Sequence, residues 1–197
     1  HMNFNDYKTI FAIACLVLSL VAASPALFLV LSFSRSEAFS ELWLLGPGHM
    51  AEGYPFNVKA EELQGPVYVG VRNHMSCSQY YAVYVKFRNQ TQPLPNATAS
   101  TPSPLPAICE FQFFLRDGEV WEKPLVFTLE NVSSQDNSTF VGHISINNET
   151  LSLGAVAEWD SEYNGFYCQL FFELWHYDTM SQSFQFHNRF VGIWLNM

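Results

Sequence analysis

Short segments with two-residue alternation are the feature that most constrains how this chain can fold. In residues 66–74, Val67, Val69 and Val71 share one face, and residues 80–87 repeat the pattern. Such alternation is typical of half-buried β-strands. Further strand-like segments are residues 109–116, 119–129, 140–157 (a hairpin turning at Asn147-Asn148), 166–178 and 183–197. No helical periodicity longer than a turn follows residue 45, so we predict a mainly β fold, an immunoglobulin-like antiparallel β-sandwich.

The connections between these segments predict which strands pair. Residues 73–78 form a short connection, so we expect the strands at 66–74 and 80–87 to pair antiparallel. Asp117-Gly118 supplies a hairpin-type turn before the strand at 119–129. Pro124 indicates an edge or a bulge within that strand, because proline cannot donate to a sheet ladder.

Two stretches depart from the strand pattern. Residues 89–107 are rich in proline and small polar residues, a composition that cannot bury a core. We therefore expect a long exposed loop with some polyproline II character. Residues 131–165 are interpreted as an inserted hairpin.

Residues 9–33 form an apolar run without a charged side chain. A bilayer core needs roughly 20 apolar residues in a helix, so this run is long enough to cross it. A cleaved signal peptide and a buried core helix are the alternatives. Residues 22–24 are followed by Pro25, a poor residue after a cleavage site, and the apolar run then resumes. We therefore favour an uncleaved anchor and predict four parts: a tail (1–8), a transmembrane helix (9–34), a connector with the first strand (35–58) and an extracytoplasmic sandwich (59–197).

Five N-x-[ST] sequons without an intervening proline follow the apolar run. They begin at Asn89, Asn96, Asn131, Asn137 and Asn148. A single triplet of this kind is usually just a polar loop, but five near predicted turns indicate N-linked glycosylation. This predicts a single-pass protein of the cell membrane with its C-terminal domain outside the cytoplasm.

Charge and motifs exclude several classes of function. The formal net charge is -9, with only 9 Lys and Arg residues, which argues against a nucleic-acid partner. No nucleophile elbow, zinc-protease motif or phosphate loop occurs. His176 and His187, in the last two strands, could lie across from one another, but structural roles are favoured over metal binding. We predict no enzymatic activity, no metal and no cofactor, apart from N-linked glycans.

The cysteines permit one disulfide in the outer domain. If successive strands alternate in direction, Cys109 and Cys168 both begin strands of one direction and lie at the same end of the sandwich. Cys77 then lies at the opposite end, beyond the distance of about 7 Å between Cα atoms that a disulfide can bridge. We therefore predict a Cys109–Cys168 bridge, and we expect Cys15 to pack within the apolar run.

A glycine- and proline-rich connector carries a family resemblance. The sequence "ELWLLGPGHMAEGYPFNV" (41–58), followed by "VYVGVRNH" (67–74), "DGEVWEKPLVFTL" (117–129) and a terminal "RFVGIWLNM" (189–197), resembles an archaeal membrane-protein family defined only as a domain of unknown function, family sixteen-sixteen. The resemblance implies an extracytoplasmic β-domain next to membrane helices. The motif residues are Gly46, Pro47, Gly48, Tyr54, Pro55, Asn73 and His74. We expect the connector itself to pack as the first strand of the sandwich.

Three functions are compatible with this sequence. The leading hypothesis is a structural or accessory subunit that binds other membrane or cell-surface proteins and contacts the lipid bilayer through residues 9–33. A pilin-like filament subunit would combine the same apolar helix with an outer β-domain. A carbohydrate-binding module would use exposed tryptophan and tyrosine rings as stacking platforms.

Overall fold

The computed structural model describes residues 7–8, 10–19 and 38–197 of this chain. The chain divides into two units, His1–Ala38 and Phe39–Met197. In the first unit the described residues 7–8 and 10–19 are helical. None of the described helical stretches is both long and apolar enough to cross a membrane. Most of the predicted span at 9–33 falls in residues 20–37, outside the described part of the chain.

Nine strands make up the second unit, which confirms the prediction of a mainly β, antiparallel fold. They are β1 (Phe39–Leu45), β2 (Gln64–His74), β3 (Gln79–Asn89), β4 (Cys109–Leu115), β5 (Val120–Gln135), β6 (Ser138–Ile146), β7 (Glu149–Asp160), β8 (Gly165–Asp178) and β9 (Ser183–Asn196).

The strands form one sheet with two distinct halves. The order is β1-β2-β5-β6-β7-β8-β3-β4, with β9 paired to the other side of β8. Only two residue pairs, Trp159 with Phe166 and Asp160 with Gly165, join β7 to β8. We call β1-β2-β5-β6-β7 the first half-sheet and β4-β3-β8-β9 the second half-sheet.

A single hydrophobic core lies between the two half-sheets. Val69 and Leu129 of the first half-sheet and Val83 and Leu174 of the second belong to one cluster, each at most 1% exposed. The rings of Phe113 on β4 and Trp121 on β5 stack across the two halves, with centroids 4.0 Å apart. The alternation in the sequence therefore identified the buried faces correctly.

The predicted pairings of β2 with β3 and of β4 with β5 are wrong, whereas the two later hairpins are correct. β2 pairs with β1 and β5, whereas β3 pairs with β4 and β8. The turns after β2 and after β4 therefore carry the chain from one half-sheet to the other. The hairpin β6–β7, turning at Asn147-Asn148, and the hairpin β8–β9 form as predicted.

The connector is a loop rather than the first strand, and β1 precedes it. A tight turn begins at Gly46, where a Cβ atom would lie 1.9 Å from the Glu52 carbonyl oxygen, so only glycine fits. The Tyr54 hydroxyl then donates to the Leu44 carbonyl at 2.6 Å. Beyond it, the Val58 amide donates to Asn196 at the end of β9. The connector thus fastens β1 to the last strand.

The predicted Cys109–Cys168 disulfide is wrong, and both thiols are free. Cys109 lies opposite Val85 on one side of β3, and Cys168 lies opposite Asn89 on the other side. Neighbouring strands are about 4.8 Å apart, so two strand spacings already exceed the distance that a disulfide can bridge. Cys109 and Cys168 lie at the same end of the domain, as predicted, but β3 separates them.

Candidate binding surface

The outer face of the second half-sheet, turned away from the core, carries the candidate binding surface. Residues on this face alternate along β3 with the core residues Tyr81, Val83 and Val85. They include Tyr80, Tyr84 and Lys86, so the face is far from a simple polar surface. Three zones follow one another along it.

The middle zone is covered by the proline-rich loop, which is not the fully exposed segment that its composition predicts. The Ser103 amide donates to Glu173 Oε1, and Lys86 Nζ donates to the Ser103 carbonyl, both at 2.8 Å. Lys86 and Glu173 form an ion pair of 2.8 Å. Trp175 Nε1 donates to the second oxygen of Glu173 at 3.0 Å. Both charges of this buried pair therefore have partners, as burial requires.

The first end zone, which we call the aromatic row, is left uncovered by the loop. It crosses all four strands of the second half-sheet and consists of Phe114, Tyr80, Tyr177 and Phe184. Phe114 is 61% exposed and Tyr80 is 37% exposed. The Tyr80 ring lies 5.2 Å from that of Phe184 and 6.2 Å from that of Tyr177, between centroids.

The opposite end zone, which we call the aromatic groove, is an open concavity of about 450 Å³. Its lining consists of Phe56, Gln90, Asp160, Tyr163, Tyr167 and Trp194. The guanidinium of Arg88 lies over the Trp194 ring at 5.2 Å. Asp160 Oδ1 accepts the amides of Glu162 and Tyr163, so this carboxylate holds the turn that presents Tyr163.

Asn73 of the connector motif is the centre of a buried hydrogen-bond network. Its side-chain amide donates to the carbonyls of Cys77 and Leu115, at 2.8 and 3.1 Å. Its oxygen accepts the Met75 amide and the Tyr81 hydroxyl. Asn73 therefore fastens the turn between β2 and β3 to the end of β4, which is a structural role.

The network continues from Tyr81 to the last strand. The Tyr81 hydroxyl and Ser40 Oγ lie 2.6 Å apart, and His187 Nε2 lies 2.9 Å from the same Ser40 oxygen. Burial raises the pKa of Tyr81 above its usual value. Burial, with the neighbouring His176 and Arg189, lowers the pKa of His187 to about 4. His187 is therefore neutral at physiological pH and suited to hydrogen bonding.

His74 and the paired histidines also have structural surroundings. The His74 ring stacks on Phe39 at 4.7 Å, and its Nε2 lies 3.4 Å from Glu41 on β1. The ring centroids of His176 and His187 are 4.6 Å apart, which confirms the prediction that the two residues lie across from one another. No group of three or more metal-binding side chains occurs in the described ranges.

The five sequons lie in turns, at the end of β3, in the proline-rich loop and, for Asn131, within β5. Asn96, Asn131, Asn137 and Asn148 are exposed, whereas Asn89 is half-buried. The Asn89 amide nitrogen donates to the Val156 carbonyl at 2.8 Å. Asn137 and Asn148 lie in the turns at either end of β6, and Asn96 lies within the proline-rich loop.

The aromatic row and the Lys86–Glu173 pair were not identified from the sequence. The signal that could have identified both lies in the residues that alternate with the core positions of β3, namely Tyr80, Ala82, Tyr84 and Lys86. A strand that exposes one face to water normally carries small polar or charged residues there. Aromatic residues at these positions indicate that something covers this face.

Comparison with known proteins identifies one family and no close relative. The family model described as a domain of unknown function (DUF1616) matches residues 34–141, more than half of the chain. The match extends from before β1 into β6 and includes the whole connector motif, whereas the terminal segment 189–197 of the resemblance lies outside it. No curated protein and no solved structure matches this chain.

Proposed function

The chain belongs to the DUF1616 family, and we propose that it is an accessory subunit of a membrane or cell-surface protein complex, bound to its partner through the aromatic row. In this proposal residues 9–33 anchor the chain as a single-pass protein. The outer domain is an immunoglobulin-like β-sandwich, lies outside the cytoplasm and carries N-linked glycans. It acts by binding rather than by catalysis, without a metal or other cofactor.

The observation that carries this proposal is the exposure of the aromatic row beside a covered zone of the same face. The proline-rich loop already buries the middle of the face through Ser103. The row lies beside this buried zone on the same face but has no cover within the described residues. Aromatic side chains are enriched at protein–protein interfaces, where their large area is buried at little cost in conformational entropy.

Native electrophoresis of complexes extracted with mild detergent tests the proposal. The full-length chain should migrate in a complex larger than the glycosylated monomer. Phe114→Lys places a charge in the row and should shift the chain to the position of the monomer. Phe140→Lys is the matched control, because Phe140 is 39% exposed on β6, away from the row. A wild-type chain that migrates as a lone monomer would overturn the proposal.

A carbohydrate-binding function is the second candidate, and the aromatic groove favours it. Tyr163 is 66% exposed and Trp194 is 39% exposed, so both can offer a ring to a sugar. Gln90 and Asp160 add polar atoms at the rim, although both already make hydrogen bonds. Binding of the enzymatically deglycosylated chain to a glycan array, abolished by Trp194→Ala, would support this function. Binding that Trp194→Ala leaves unchanged would exclude the groove.

A pilin-like filament has no comparable observation among the described residues. The distinguishing feature of such a filament would be helix packing by residues 9–33, and most of that run lies outside the described residues. Sheared surface fibres that contain this chain would favour it over the accessory subunit.

A further inference from the structure

Asn137 and Trp159 face each other at one end of the β6–β7 hairpin. The register of this pair places Ser138 opposite Glu158, and the next residues outward are Asn137 and Trp159. The Trp159 amide donates to the Asn137 carbonyl at 2.8 Å, which continues the ladder by one residue pair. Side chains of directly opposed residues lie on one face, with Cβ atoms about 5 Å apart.

Both side chains are available to a ligand. Trp159 is 43% exposed, and its ring meets that of Phe166 edge-on at 5.1 Å, which leaves much of the indole uncovered. Asn137 is exposed, and its side-chain amide makes no hydrogen bond with the described residues, unlike that of Asn89. A concavity of about 380 Å³ lies here, lined by Gln135, Asp136, Asn137, Ser138, Glu158 and Trp159.

We propose that Asn137 carries an N-linked glycan whose first sugar packs on the Trp159 indole and fills this concavity. The proposal rests on the extracytoplasmic location proposed above. The face of an indole carries partial negative charge and attracts the weakly positive C–H groups on one face of a pyranose ring. The occupant is a sugar attached to this chain rather than a free saccharide, because the sequon asparagine itself lies beside the ring.

The attachment uses a lipid-linked oligosaccharide phosphate as the donor. The Asn137 amide nitrogen forms a bond to C1 of the first sugar, and the bond from C1 to the lipid phosphate oxygen breaks. The phosphate leaves with the bonding electron pair, and one amide proton passes to a base of the transferase. The glycosylated amide keeps its second proton.

Footprinting of Trp159 by hydroxyl radicals tests the packing in the full-length chain from an N-glycosylating host. Glycopeptide mapping first establishes which sequons are occupied. We expect Trp159 to be oxidised several-fold more slowly in the wild type than in Asn137→Gln. Asn148→Gln is the matched control: it removes an exposed sequon at the other end of β6 and should leave Trp159 protected.

The outcomes separate this inference from the proposed location. Sugar on Asn96 or Asn148 with an unmodified Asn137 overturns the inference alone. The same holds if Asn137 is glycosylated and Trp159 is oxidised equally fast in Asn137→Gln. A chain from its native membrane without sugar at any sequon overturns both. As a second measurement, Asn137→Gln should lower the thermal midpoint in the wild-type background but not in the Trp159→Ala background.

Discussion

Lys86 and Glu173 form an ion pair of 2.8 Å in which the two side chains are 5% and 0% exposed. The pair connects two neighbouring strands on the outer face of the second half-sheet, and Ser103 of the proline-rich loop is bonded to both partners. A loop with five prolines is thereby held at a defined position. The two hydrogen bonds of Ser103 hold the loop over the middle of the face, and the aromatic row stays uncovered.

Breaking this pair should strongly destabilise the domain. Lys86→Ala leaves Glu173 as a buried, unpaired charge, and the expected loss is about 3–5 kcal/mol in the free energy of unfolding. Urea unfolding followed by tryptophan fluorescence measures it. Lys59→Ala is the control, because the Lys59–Glu62 pair is exposed and spans 4.0 Å; its effect should stay within about 0.5 kcal/mol. Equal losses in the two variants would contradict the buried pairing.

The Tyr81 hydroxyl should contribute measurably to stability through Ser40 and Asn73. Tyr81→Phe removes two buried hydrogen bonds without changing the packing of the ring, and we expect a loss of about 1–3 kcal/mol. Tyr80→Phe is the matched control on the opposite face of the same strand, where the hydroxyl donates to Gln112 in an exposed hydrogen bond. Urea unfolding of both variants checks the difference. A Tyr81→Phe variant as stable as the wild type would mean that the network is not formed.

Stability should fall as the solution is acidified from about pH 6.5 to about pH 4. Folded His187 binds a proton only near pH 4, whereas an unfolded histidine binds one near 6.5. The unfolded state therefore holds more protons in this window, and the free energy of unfolding decreases by roughly 2 kcal/mol, after allowance for partial solvent exposure. His187→Gln should reduce that decrease when unfolding is compared at pH 7 and pH 4.5. An unchanged pH dependence would argue against a buried, neutral His187.

The thiols of the nine-stranded unit should differ widely in reactivity. Burial raises the pKa of Cys109 to about 11 and that of Cys168 to about 12, so both are protonated at pH 8. Cys77 is exposed. Alkylation of the native chain, mapped by peptide mass, should label Cys77 at least about tenfold faster than Cys168. A non-reducing map that shows Cys109 bridged to Cys168 would contradict the strand order.

Much of the fold could be predicted because each strand carries its own pattern. The valines of β2 and the alternation of β3 identify strands and their buried faces from local sequence. They do not identify neighbours, since Val69 and Val83 need only an apolar environment, and adjacent or facing strands both supply one. This is why β2 and β3 were wrongly paired.

The candidate binding surface depends on contacts between distant residues. Ser103 and Glu173 are 70 positions apart, and no local pattern connects them. The composition of the loop correctly excluded regular secondary structure but could not show where the loop packs. Similarly, strand directions placed Cys109 and Cys168 at the same end, while the lateral position of β3 between them required the complete strand order.

Photocrosslinking at the aromatic row tests the central claim most directly. A photoreactive phenylalanine analogue replaces Phe114 in one variant and Phe140 in another, and intact cells of the native host are irradiated. We predict a discrete adduct of one additional protein mass at position 114 and no such adduct at position 140. No adduct at position 114, or identical adducts at both positions, would contradict the assignment of the aromatic row as the partner-binding surface.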